Sequence, residues 1–142
     1  MSLFEAAGGA PAMLALAGDF HERCLADPVL EHPFSNRLNP DHVRHLAEYW
    51  GEVFGGPPVF STEHGGHIAM LRLHANQGAY GDIGDRFIAC FDAAAEATIA
   101  DPAARRAMSA YIRHATAEVM SYSPRDAVVP PTAPMPRWDL AP

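Results

Sequence analysis

The chain has 142 residues, 49% of them apolar and 19% charged, and seventeen Asp and Glu against ten Lys and Arg give a net charge of −7. That length carries one domain able to bury roughly 70% of its unfolded surface, and the acidic balance excludes a nucleic-acid or anionic-membrane partner, since all ten cations are scattered arginines. No apolar run approaches the roughly 20 residues of a membrane span. Cys24 and Cys90 form neither a CxxC motif nor a disulfide framework. The first basic residue, Arg23, leaves no positive leader region. A reduced, cytoplasmic protein is expected.

Residues 2 to 7 predict a short leading turn stopped by Gly8-Gly9. A first long helix is expected from Ala10 to Ala26, with Met13, Leu14, Leu16, Ala17, Phe20, Cys24 and Leu25 as its apolar arc and His21 inside that arc. Asp27-Pro28 begins a short turn, and His32-Pro33-Phe34-Ser35 is a corner. Asn39-Pro40-Asp41 predicts a second helix start: a capping side chain, a first-turn proline, then an acid favoured by the dipole. His42, Leu46, Tyr49, Trp50 and Val53 then repeat at helical spacing, with His42 heading the stripe and His45 at its edge. Gly55-Gly56-Pro57-Pro58 ends that helix.

The glycine-punctuated stretch from 59 to 81 predicts one short helix, from Ile68 to Ala75. A third long helix is expected from Asp82 to Ala100, with Ile83, Phe87, Cys90, Phe91 and Ala94 inward. A fourth begins at Asp101-Pro102 and carries Ala104, Met108, Tyr111, Ile112, Ala115 and Val119. No strand-like alternation appears, so the fold class is all-α. Six of the thirteen prolines lie between Pro124 and Pro142, which excludes helix or central strand there. The division expected is a helical domain over 1–123 and a loose extended tail over 124–142. The other reading has Trp138 pinning the tail to the body or to a partner.

Seven of the eight histidines lie in the first 74 residues, and His21 and His42 fall on apolar faces. Buried imidazoles are costly without a partner, which points toward a metal or a metal-bearing cofactor. There is no HExxH, no Glu-x-x-His pair for a di-iron bundle, and no four-ligand cysteine set. A haem site asks less: one imidazole on iron and an apolar slot for the macrocycle. Phe34, Leu46, Trp50, Met70, Leu71 and Phe87 supply such a slot, and His21 and His42 are the polar groups for the ligand side.

Phe20-His21, Asp27-Pro28-Val29-Leu30, His32-Pro33-Phe34, Val53-Phe54-Gly55-Gly56-Pro57 and the run from Gly66-His67 to His74 resemble, in order and spacing, the truncated haemoglobins, most closely group II. The resemblance covers about residues 3 to 123. It implies a two-over-two antiparallel helix sandwich around haem b, with His74 as the proximal iron ligand. Phe34 takes the aromatic place on the haem, and His42, with Leu46 a turn on, takes a distal place. His21 stands where the family usually has tyrosine and Phe87 where group II usually has tryptophan. The ligand pocket (His21, His42, Phe87) is therefore expected to be rebuilt around imidazole, since phenylalanine cannot donate a hydrogen bond.

Family members commonly carry an arginine just before the proximal histidine and a tyrosine after the GGP. Leu73 and Phe60 stand there instead, which leaves Arg72 as the propionate candidate. His67 and Tyr49 are candidates for contact with the haem edge or with the short helix.

The resemblance implies a protein that binds dioxygen, nitric oxide or carbon monoxide. The family's activities extend to nitric-oxide detoxification and peroxide-linked oxidation, and no residue pattern decides whether this chain is an enzyme. Expected partners are a diatomic gas and, where iron turns over, an unidentified reductase; the assembly expected is a monomer or homodimer. Two other readings stay open: a non-haem metal site from His64, His67 and His74, and a cofactor-free helical sensor or interaction module.

Overall fold

The computed structural model describes residues 1–31, 41–79 and 81–141; among those residues seven helices follow one another and no strand occurs. Ser2 opens the first helix, α1 (Leu3–Ala7), by accepting a hydrogen bond from the Glu5 amide at 3.1 Å; Gly8, at φ 113°, closes it. That left-handed backbone suits glycine alone at low cost. The chain then turns directly into α2 (Gly9–Ala26), one residue earlier than expected, with Met13, Leu16, Ala17, Phe20 and Cys24 buried. Leu14, expected inward, is exposed.

The Asp27 carboxylate accepts from the amides of Val29 (2.8 Å) and Leu30 (3.2 Å), which folds the turn after α2. The corner at His32-Pro33-Phe34-Ser35 and the Asn39-Pro40 start lie outside the described residues. The next helix, α3, spans His42–Val53 and buries Ala47, Tyr49, Trp50, Gly51 and Val53. His42 and Leu46 are half-buried, so the stripe is right in period but its N-terminal end lies at the rim of the core. Asp41 is the N-cap rather than a first-turn acid, and its carboxylate pairs with Arg44 at 3.4 Å.

Between 59 and 81 there are two helices, not one: α4 (Val59–Glu63) and α5 (Gly66–His74). The first was not legible because a single turn bounded by proline and glycine has too few residues to show a period. Helix α6 (Ile83–Thr98) starts and ends within about two residues of expectation, and α7 (Pro102–Ser121) starts at the expected Asp101-Pro102. Asp101 caps α7 through the Ala103 amide, and Pro102 sits in its first turn.

Helix α2 packs against both α3 and α6, and α6 packs against α7, giving two helix pairs joined through α2. The core between them holds Phe20, Trp50, Phe91, Met108, Tyr111 and Ile112. Burial, reinforced by neighbouring Cys90 of α6, pushes the thiol of Cys24 on α2 well above its usual range. The two cysteines, 66 positions apart in sequence, are both free thiols.

The tail is not loose. The Trp138 backbone amide donates to Val53 O at 2.9 Å and its indole Nε1 donates to Ala107 O at 2.9 Å. Its ring packs edge-on to Tyr111 at 5.8 Å and lies 5.5 Å from His114. The expectation of a free extended segment is thus corrected in favour of the pinned alternative: proline forbids regular structure but not packing.

Candidate functional site

His74 closes α5, and its Nδ1–H donates to the Met70 carbonyl at 2.8 Å. A carbonyl can only accept, so the ring hydrogen is assigned to Nδ1 and the lone pair of the neutral imidazole to Nε2. This is the arrangement of a metal-ligating histidine, whose second nitrogen is oriented by a hydrogen bond from the first. The same bond holds the ring against its own helix. The donor chemistry therefore fits an iron ligand.

His21 from α2 and His42 from the start of α3 have ring centroids 5.2 Å apart at 55°, and both are half-buried. Next to His21, Phe20 packs edge-on to Phe87 at 4.9 Å and to Trp50 at 5.3 Å. Of the three residues expected on the ligand side, the packing of α2 on α3 thus brings His21 and His42 together, while Phe87 of α6 lies against Phe20. Leu46, Met70 and Phe87 are half-buried against the core and Leu71 is fully buried. Phe34 lies outside the described residues.

Tyr49 and His67 build a different feature. The Tyr49 hydroxyl donates to His67 Nδ1 at 2.8 Å, and His67 Nε2 donates to the Glu118 carboxylate at 2.9 Å. The carboxylate only accepts, which fixes the donor nitrogen. Tyr49 and His67 are each 4% exposed. Burial, reinforced by the neighbouring Tyr111 phenol, pushes the Tyr49 hydroxyl far above its usual value, so it remains a neutral donor. The contact of Tyr49 is with the short helix, the second of the two roles expected for it.

Phe60 closes the edge of this cluster, its ring 5.1 Å from Tyr49. Glu118 was missed in the sequence, although it lies seven residues after Tyr111 on the inward stripe of α7. Arg72 is exposed on α5, accessible to solvent and to a rim carboxylate alike.

The three-histidine metal site is not assembled. His67 is held between Tyr49 and Glu118, His74 is turned to Met70 O, and His64 Nε2 lies 3.2 Å from Glu48. Separately, an apolar groove of about 220 Å³ lies between Phe4, Met13 and Leu14 on one side and Ala47, Gly51 and Val59 on the other; none of the expected site residues lines it.

Residues 2–121 match the bacterial-like globin family. Among solved structures, the haemoglobin of the thermophilic phototrophic bacterium Chloroflexus aurantiacus is 30% identical, with 84% of this chain and 97% of that chain covered and a TM-score of 0.73. A thermostable haemoglobin from the actinobacterium Thermobifida fusca is 25% identical over 84% of this chain and 96% of its own, at a TM-score of 0.71. The group II truncated haemoglobin of Bacillus anthracis shares the fold at a TM-score of 0.75, with 22% identity over 87% of this chain and 93% of that one. No curated protein matches the chain.

Proposed function

This chain belongs to the bacterial-like globin family, and from that premise we propose that it is a haem protein which binds dioxygen or another diatomic gas at an iron held by His74. The observation that carries the assignment of His74 is its Nδ1–H bond to Met70 O, which orients the ring and sets the tautomer with the lone pair on Nε2, as in a metal-ligating histidine. Haem, when bound, supplies the iron at which the gas is coordinated. The remaining work falls to the protein. Leu46, Met70 and Phe87, half-buried at the edge of the core, offer apolar surface to a macrocycle, Trp50 and Leu71 belong to the buried core, and Phe34 is proposed to join the first three. Arg72 is the side chain proposed to meet a propionate.

His21 and His42 are proposed to face the coordinated gas. A donor nitrogen there stabilises the partial negative charge of bound dioxygen by about 1.5–3 kcal/mol. The adjacency of two imidazoles also favours a finer reading, peroxide-linked oxidation with one ring taking and the other giving a proton.

The purified full chain should show a Soret band that shifts with carbon monoxide after reduction. His74→Ala should lose haem or change ferrous coordination, with added imidazole restoring the spectrum; an unaltered ferrous spectrum in that variant refutes the assignment. His42→Leu or His21→Leu should speed oxygen release by about ten- to a hundredfold in stopped flow. If both singles and the double variant release oxygen at the wild-type rate, neither ring contacts the gas.

A further inference from the structure

A second group of metal donors lies on the surface at the junction of α3 and α4, and it shares no residue with the proposed haem site. His64, the C-cap that follows α4, places Nε2 3.2 Å from Glu48 Oε2 on α3. Glu63, the last residue of α4, completes a set in which one donor atom from each of Glu48, Glu63 and His64 lies within 4.8 Å of the others. The His45 ring packs beside that of His64, centroids 4.1 Å apart, with its Nε2 3.5 Å from Arg44 NH2. His45 and Glu48 are three residues apart on α3 and therefore share a face.

Arg44 NH1 holds Glu48 Oε1 at 2.8 Å, which leaves the other oxygen turned toward His64. We propose that Glu48, Glu63 and His64 bind one divalent transition-metal cation of the zinc type, with the fourth position left to water.

The donor set argues for that class. An imidazole nitrogen beside two carboxylates suits zinc, copper or nickel, whereas magnesium and calcium take oxygen alone. In a tetrahedral zinc site with bonds near 2.0 Å, neighbouring donors stand about 3.3 Å apart. The His64–Glu48 separation already meets that spacing. Glu63 is exposed, so its side chain can close the remaining gap without repacking the core. A bound cation would tie α3 to the segment that leads through Gly65 into α5, the helix that ends at His74.

The test uses the full chain as purified, freed of metal by chelator dialysis. It is titrated with Zn²⁺ in the calorimeter and with Co²⁺ as a coloured stand-in. One equivalent of zinc is expected, with cobalt absorption typical of nitrogen and oxygen ligands. His64→Ala and Glu48→Gln should each weaken zinc binding by more than about a hundredfold, beyond the roughly 10–100-fold that loss of an outer-shell partner costs. Glu63→Gln, a change at an exposed position, should do the same without risk to folding. His74→Ala and His114→Ala should bind zinc as the wild type does, which separates this site from the proposed haem site. No zinc uptake by the wild type, or unchanged affinity in Glu63→Gln and His64→Ala, overturns the proposal.

Discussion

Asp27 shows how one side chain can join two elements. It ends α2, folds the turn after it through the Val29 and Leu30 amides, and meets Arg86 NH1 of α6 at 3.3 Å. Burial works to raise its carboxyl, but the two amides and the guanidinium outweigh burial and hold it below the usual carboxylate range. A depressed folded-state value stabilises the fold above the unfolded value, near 3.9, and that stability is lost as pH falls through the folded value. Asp27→Asn should therefore melt below the wild type at neutral pH. The gap should narrow as pH drops beneath about 4. A gap independent of pH would mean that the charge contributes nothing and only the turn geometry matters.

At the scale of the element, α5 is the helix on which the proposed iron ligand depends, and it is short for independent stability. Its N-terminal end is fixed by the Tyr49–His67–Glu118 chain, which ties it to α3 and α7. Beyond its C-terminal end, Asn76 adopts a left-handed φ of 60°. Its side chain donates to the carbonyls of Pro124, Arg125 and Ala127, while Gly78 N donates to Ser123 O at 2.8 Å. His67→Phe keeps the ring but leaves the Tyr49 hydroxyl buried without its acceptor, a cost of about 1–3 kcal/mol. The expected result is faster amide hydrogen exchange across Gly66–His74, together with faster loss of haem. Exchange confined to other helices would show that the chain of hydrogen bonds does not hold α5.

At the scale of the whole molecule, the proline-rich tail stabilises the fold as a strap. It crosses the end of α3, seats Trp138 against Tyr111 and His114 of α7, and passes Arg137 over Gly55, where an added Cβ would meet the guanidinium at 2.8 Å. Trp138 is half-buried, so Trp138→Ala should cost about 2 kcal/mol, less than the 3–5 of a fully buried aromatic. For a domain of this size that lowers the melting temperature by about 4–8 °C. An unchanged melting temperature would show that the strap carries no stability.

Period and punctuation in the sequence determined the long helices and their inward faces, because a 3.6-residue apolar repeat bounded by proline, glycine and capping acids has one low-energy solution. The ordered motifs from Phe20 to His74 likewise marked the family and the histidines to test, since those signals are local. What only the tertiary structure decided was which side chains meet. Nothing in the sequence joins His67 to Glu118 across 51 residues, Cys24 to Cys90, His64 to Glu48, or Trp138 to Ala107. These contacts depend on how helices cross and which faces they bury, and an amphipathic stripe states that a face is covered without stating by what.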